Sequence, residues 1–175
     1  SDREKKPRRR MPAEESDETT LVEGRNAVSE LLRSGRAVDK LFVAEGAHGR
    51  MGDVIALAKE AGVPVTQCDR RKLDGMSRTG NHQGVIAQAA AHEYASMDEL
   101  FAAAEEKGEA PLFVVCDGIE DPHNLGAILR SAEAAGAHGV IIPKRRAVGL
   151  TAVVARASAG AMEHIPVHKA TNLAA

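Results

Sequence analysis

The sequence predicts an α/β protein built from two consecutive units, and three observations carry that prediction. Short apolar runs rich in Val, Ile and Leu alternate with amphipathic runs of helical length through residues 21–91. A second alternation, strand-helix-strand-helix-strand, runs from residue 111 onward. Hydrophobic residues make up 43% of the 175-residue chain but aromatic residues only 2%, so the core must be built from Val, Ile, Leu and Ala.

In the first unit, Ala27, Val28, Leu31 and Leu32 recur at helical spacing over residues 26–34, and Gly35 stops the run. Leu41, Phe42 and Val43 form a strand. Residues 52–61 read as a helix ending at Gly62, residues 63–66 as a strand, residues 70–76 as a short helix, and residues 84–91 as a strand around Val85, Ile86 and Ala87. This order predicts a small α/β/α sandwich. An Ala- and Glu-rich connector follows over residues 94–108, with Met97, Leu100 and Phe101 giving it one apolar face. The unit boundary falls near residues 91–93 or within the turn at residues 107–109.

In the second unit, residues 112–116 read as a buried parallel strand, residues 124–135 as a helix stopped by Gly136, and residues 139–142 as a strand ended by Pro143. A helix over residues 150–157 and a strand over residues 165–167 complete it. Right-handed crossovers make these strands parallel. Three short strands and two helices make a poor stand-alone domain, which predicts a fragment of a larger fold or an ordered region that ends early.

Net charge is −2, so any affinity for nucleic acid must be local. Residues 1–20 divide into a basic block and an acidic block and read as a disordered charged tail, either a solvated leader or a salt-sensitive RNA tether. Cys68 and Cys116 sit in or beside apolar segments, as in a reduced, cytosolic protein. No run reaches transmembrane length and no signal-peptide core is present, so the expected location is cytoplasmic and no membrane partner is expected.

The most informative stretch is residues 117–130, Asp-Gly-Ile-Glu-Asp-Pro-His-Asn-Leu-Gly-Ala-Ile-Leu-Arg. It places a polar loop at the carboxyl end of a strand, where open α/β sheets hold their ligands. Asn124 is a good helix N-cap. Gly126 and Arg130, four apart, share a helical face, with the glycine leaving room for a large partner. An arginine beside a helix N-terminus suits a phosphate, although a surface pair with Glu133 is the plainer use of Arg130. Three further segments are polar or basic: residues 81–84 (Asn-His-Gln-Gly), the cluster Arg70, Arg71, Lys72 and Arg78, and Lys144-Arg145-Arg146 after the second strand of the second unit. Each is either a phosphate or base contact or a capped turn and solvated loop. His164 and His168 have no evident third ligand, so no metal site is expected. There is no P-loop, no CxxC and no Gly-x-Gly-x-x-Gly.

Asn124-x-Gly126-x-x-x-Arg130, preceded by Asp-Pro-His, resembles the first signature motif of the SpoU/TrmH-type RNA 2′-O-methyltransferases of the SPOUT superfamily. Residues 23–28 (Glu-Gly-Arg-Asn-Ala-Val) and 81–84 resemble two further stretches of that family, and residues 158–163 resemble its small-residue turn. The resemblance implies a ribosomal-protein-like α/β/α RNA-substrate-binding domain over residues 21–92, a linker over 93–110, and the N-terminal half of an α/β-knot methyltransferase domain over 111–175. It implies S-adenosylmethionine as methyl donor and RNA as partner, with Arg130 and Asn124 catalytic. Arg25, Asn81, His82, Gln83, His123 and Arg145 would contact RNA. An arginine is a poor general base, so Arg130 is expected to pin a phosphate and stabilise the developing alkoxide. The family's second and third motifs lie downstream of this sequence, which places the cofactor-binding residues beyond Ala175. The family commonly forms homodimers, one subunit's arginine completing the other's cofactor pocket. The substrate implied is a guanosine of 23S ribosomal RNA. Transfer RNA, an antibiotic-resistance rRNA target and a non-catalytic RNA-binding role are the alternatives.

Overall fold

Two separate sheets organise the chain. The computed structural model describes residues 21–47 and 49–174, and the charged block expected over residues 1–20 lies outside the described residues. The first sheet contains β1 (Leu21–Glu23), β2 (Val38–Ala44), β3 (Val65–Cys68) and β4 (Val85–Ala89) in the order β1-β4-β2-β3. β4 runs antiparallel to both β1 and β2, while β2 and β3 are parallel.

Period-two alternation assigns the two faces of this sheet. Leu41 and Val43 of β2 and Val85, Ala87 and Ala89 of β4 join the core formed with α1 (Arg25–Arg33) and α2 (Met51–Glu60), in which Val28, Leu31, Leu32, Val54 and Ala58 are buried. Ala44 and Ile86 point the other way, toward Leu73 of α3 (Arg70–Met76). The result is the α/β/α sandwich that the sequence predicts. The three-residue strand β1 was not foreseen, because it is too short to show a period.

The second sheet is parallel throughout, in the order β5 (Phe113–Val115), β6 (Gly139–Pro143) and β7 (Val167–Ala170). α5 (Pro122–Ala134) and α6 (Ala152–Ala157) pack against it and against each other through Leu125, Leu129, Val140, Ile142 and Val154, all essentially excluded from solvent. α4 (Met97–Lys107) is closed at its start by a capping box between Ser96 and Glu99. It also packs on this sheet: its fully buried Leu100 sits where a side chain on Gly139 would have to go.

Three expectations for this unit are corrected. The strand expected to be buried is an edge strand, with Leu112 51% and Val115 57% exposed, because only β6 pairs with it among the described residues. The last strand begins at Val167 instead of residue 165, since the Ile165 amide is spent on the Ala161 carbonyl in the preceding turn. α6 begins at Ala152, where the Thr151 hydroxyl accepts from the Val154 amide.

Candidate functional site

The loops after β5, β6 and β7 gather at the carboxyl ends of the parallel strands. The Val148 amide donates to the Ile119 carbonyl at 2.9 Å, and the Lys144 amide donates to the Ala170 carbonyl at 2.8 Å. α5 rises from the first of these loops. Its N-cap is Asp121, whose Oδ1 accepts from the Asn124 amide at 2.8 Å, with Pro122 at the first helical position. Asp-Pro sets this start, since proline lacks the N–H that a first turn leaves unpaired. Asn124 is therefore not the cap. It is the third residue of the helix, and its exposed amide side chain is left for other work.

His123, Ala127 and Arg130 fall on one stripe of α5, and His123 and Arg130 are exposed. Arg130 pairs neither with Glu133 nor with any other carboxylate among the described residues. Gly126 does not make room for an outside partner. It is buried against α6, where a Cβ would overlap the Ala157 side chain and come within 2.8 Å of its carbonyl carbon. Its use is close helix packing. The small-residue turn at residues 158–163 serves the same purpose: the fully buried Ser158 hydroxyl donates to the Ala155 carbonyl and accepts from the Met162 amide.

In the first unit the expected contact residues surround one turn. The Glu23 carboxylate accepts from the Ser77 hydroxyl, the Arg78 amide and the Thr79 hydroxyl, at 2.5–2.8 Å. Burial alone would raise this carboxyl, but those donors outweigh it and hold it below the usual glutamate range. Gln83, at a left-handed φ of 53°, turns its Oε1 to the Arg25 amide at 3.0 Å and so closes the start of α1, where Gly24 offers no side chain. Asn81 and Gln83 are exposed. The Arg25 Nε is shielded from solvent and meets no acceptor among the described residues.

His82 departs from expectation as a direct RNA contact. It is 2% exposed, its Nδ1 accepts from the Gly84 amide at 2.9 Å, and its Nε2 lies 2.8 Å from Asp74 Oδ1. Because Nδ1 accepts, Nε2 carries the proton and donates to Asp74. Both ring nitrogens are used, so His82 holds the turn that presents Asn81 and Gln83.

A junction that sequence reasoning missed joins the two units. Asp39 of β2 is 7% exposed and accepts from the Tyr94 hydroxyl and from Lys169 Nζ of β7. Lys169 Nζ also lies 4.1 Å from the centre of the Tyr94 ring, and the Tyr94 oxygen accepts from the Leu150 amide at 2.9 Å. Burial and the neighbouring Asp39 carboxylate push the Tyr94 phenol well above its ordinary range, so it keeps its proton and remains a donor. Gly149 is required beside this carboxylate, since any Cβ would overlap it. The one signal in the sequence was the charged pair Asp39 and Lys40 near the start of a strand whose other residues are apolar.

Between the units, next to this junction, lies a cleft of about 660 Å³. Its lining includes Lys40 and Thr66 from the first unit and Glu120, Arg145, Arg146 and Lys169 from the second. The cationic lining is a poor match for S-adenosylmethionine, whose sulfonium it would repel. No cluster of potential metal ligands occurs among the described residues, and none of their helices is long and apolar enough to cross a membrane. Cys68 and Cys116 are free and buried, and burial pushes both thiols up.

Residues 21–95 match a family model described as RNA 2′-O ribose methyltransferase substrate binding, and residues 111–175 match one described as the SpoU rRNA methylase family. The chain is 56% identical over 160 residues to YacO of Bacillus subtilis (strain 168), a protein named for the TrmH family of tRNA/rRNA methyltransferases; the match covers 91% of this chain and 64% of that protein. It is 45% identical over 170 residues to a protein of Mycobacterium sp. (strain KMS) named as an uncharacterized tRNA/rRNA methyltransferase, covering 96% of this chain and 54% of that one. The chain thus spans between half and two thirds of the length of these relatives. Among solved structures it is similar to an AdoMet-bound rRNA methyltransferase from Sinorhizobium meliloti, at 26% identity and a TM-score of 0.38, covering 87% of this chain and 55% of that chain.

Proposed function

The chain belongs to the SpoU/TrmH family of RNA methyltransferases, and we propose that it methylates a ribose 2′-hydroxyl of RNA, a guanosine of 23S ribosomal RNA, in the cytoplasm and as a homodimer. The observation that carries this reading is the free end of α5. His123 and Asn124 are exposed in its first turn, at the carboxyl ends of a parallel sheet, and Arg130, exposed about two turns further along the helix, has no protein carboxylate among the described residues to neutralise it. A guanidinium so placed binds a phosphate in a forked geometry and stabilises negative charge developing on the neighbouring 2′-oxygen. A guanidinium is a poor general base, so its work is orientation and electrostatics. Asn124 donates or accepts a hydrogen bond at the same sugar, and His123 contacts the RNA beside it.

In this reading residues 21–92 bind the RNA substrate through Arg25, Asn81 and Gln83, and residues 93–110 link them to the methyltransferase unit over residues 111–175. S-adenosylmethionine, when bound, supplies the electrophilic methyl group. We assign its pocket to residues beyond Ala175.

The test is calorimetry with S-adenosylmethionine on this chain and on a version extended at its C-terminus, followed by mapping of the transferred methyl on ribosomal and transfer RNA. Binding by the extended protein alone, with label on a ribose 2′-oxygen of 23S RNA, is the expected result. Label on transfer RNA would replace the substrate. Absence of cofactor binding in both, with RNA affinity intact, would leave a non-catalytic RNA-binding protein.

A further inference from the structure

The cleft between the units is more basic than a net charge of −2 leads one to expect. Of its charged lining, Asp39 is already paired with Lys169, which leaves Glu120 as the one unpaired carboxylate against Lys40, Lys144, Arg145 and Arg146. Lys144 reaches across the boundary, its Nζ lying over Gly62 at the end of α2, where the last helical carbonyls favour a cation. Lys40, Arg145 and Arg146 pair with no carboxylate among the described residues. Like charges brought together from two units repel each other unless an anion comes between them.

The basic surface also continues out of the cleft. Lys40 Nζ lies 5.8 Å from the centre of the Phe42 ring and Lys72 Nζ, from α3, lies 5.3 Å from it. The half-buried ring, packed on Leu73 and Ile86, holds two cations from different elements together on one surface, next to the phosphate-binding groups of the cleft.

We propose that this trough is a track for the phosphodiester backbone of single-stranded RNA. Lys72, Phe42 and Lys40 form its first-unit wall and Arg145 and Arg146 its second-unit wall, so that one strand is gripped by both units at once. The proposal rests on the reading of the chain as an RNA-modifying protein and adds to it the route the substrate takes. Asp39 and Lys169 line the cleft from opposite units, so their ion pair ties its two walls together.

The experiment is fluorescence anisotropy with a labelled single-stranded RNA, titrated from about 50 to 200 mM salt, for the wild type and for Lys40→Glu, Arg146→Glu and their combination. Each phosphate contact contributes about −0.7 to the slope of log affinity against log salt for a single strand. Each single variant is expected to flatten the slope by about one contact, and the double variant by about two. Lys40→Arg and Arg146→Lys are expected to restore it, which separates lost charge from lost folding. Unchanged slopes in both charge-reversed variants, alongside weakened binding in Arg25→Ala, would overturn the track while leaving the RNA reading in place. A wild type with no RNA affinity at all would overturn both.

Discussion

The turn at residues 77–84 and the first turns of α5 both carry polar residues that motif reasoning marks as functional, yet the protein treats them in opposite ways. At the first, Glu23 holds three donors, His82 uses both ring nitrogens and Gln83 closes a neighbouring helix. At the second, Asp121 alone does the capping, and His123, Asn124 and Arg130 remain exposed. A polar side chain whose hydrogen bonds are spent inside the protein shapes a surface, and one whose hydrogen bonds are free can meet a ligand. On this account the first unit presents RNA through a few residues on a rigid turn, while the second keeps its chemistry on a helix face that the fold does not need.

The contrast can be broken in several places. Gly126→Val forces a branched side chain into the α5–α6 contact and should cost about 3 kcal/mol, the upper end of overpacking effects, read as a drop in the denaturant midpoint. His82→Ala leaves the Gly84 amide without its acceptor and should cost about 2 kcal/mol. Its loss of RNA affinity should track the loss of fold, since the ring reaches no ligand. Asn124→Ala should leave stability within about 0.5 kcal/mol, as an exposed site would, while slowing single-turnover methyl transfer about tenfold, the worth of one hydrogen bond in the transition state. If Asn124→Ala unfolds the protein instead, the assignment of capping to Asp121 is wrong.

The smallest effect is one of pH. The Glu23 carboxyl is held below its ordinary range. Its contribution is therefore fully present above the ordinary, unfolded-state glutamate range and is lost as pH falls through the lower folded value. Melting curves below about pH 5 should show the wild type losing part of its advantage over Glu23→Gln. A constant gap across that range would mean the donors from residues 77–79 contribute nothing through charge.

Period and punctuation made most of the architecture legible. Leu41, Val43, Val85 and Ala87 fall on one face and Ala44 and Ile86 on the other because alternation is a local property. Gly136 marked the end of α5 for the same reason. What the sequence withheld was long-range. Asp39 and Lys169 are 130 positions apart, and nothing local says that they meet. Val115 reads as a core residue until its strand proves to lie at an edge. The motif in α5 located the exposed stripe, but the roles of its members shifted. Asp-Pro outcompetes Asn124 for the cap, and Gly126 faces a neighbouring helix that pattern alone does not place.

On the proposed reading, Arg130 is left unpaired among the described residues because the reaction needs it and the fold does not. The direct measurement is single-turnover methyl transfer to RNA by Arg130→Ala in the C-terminally extended protein, with RNA affinity and melting temperature taken on the same samples. The expected rate is lower by about 10²–10³, the loss typical of removing one charge-stabilising donor, with melting unchanged and RNA affinity within about threefold, the loss of a single exposed contact. A variant that transfers methyl groups at the wild-type rate would contradict it.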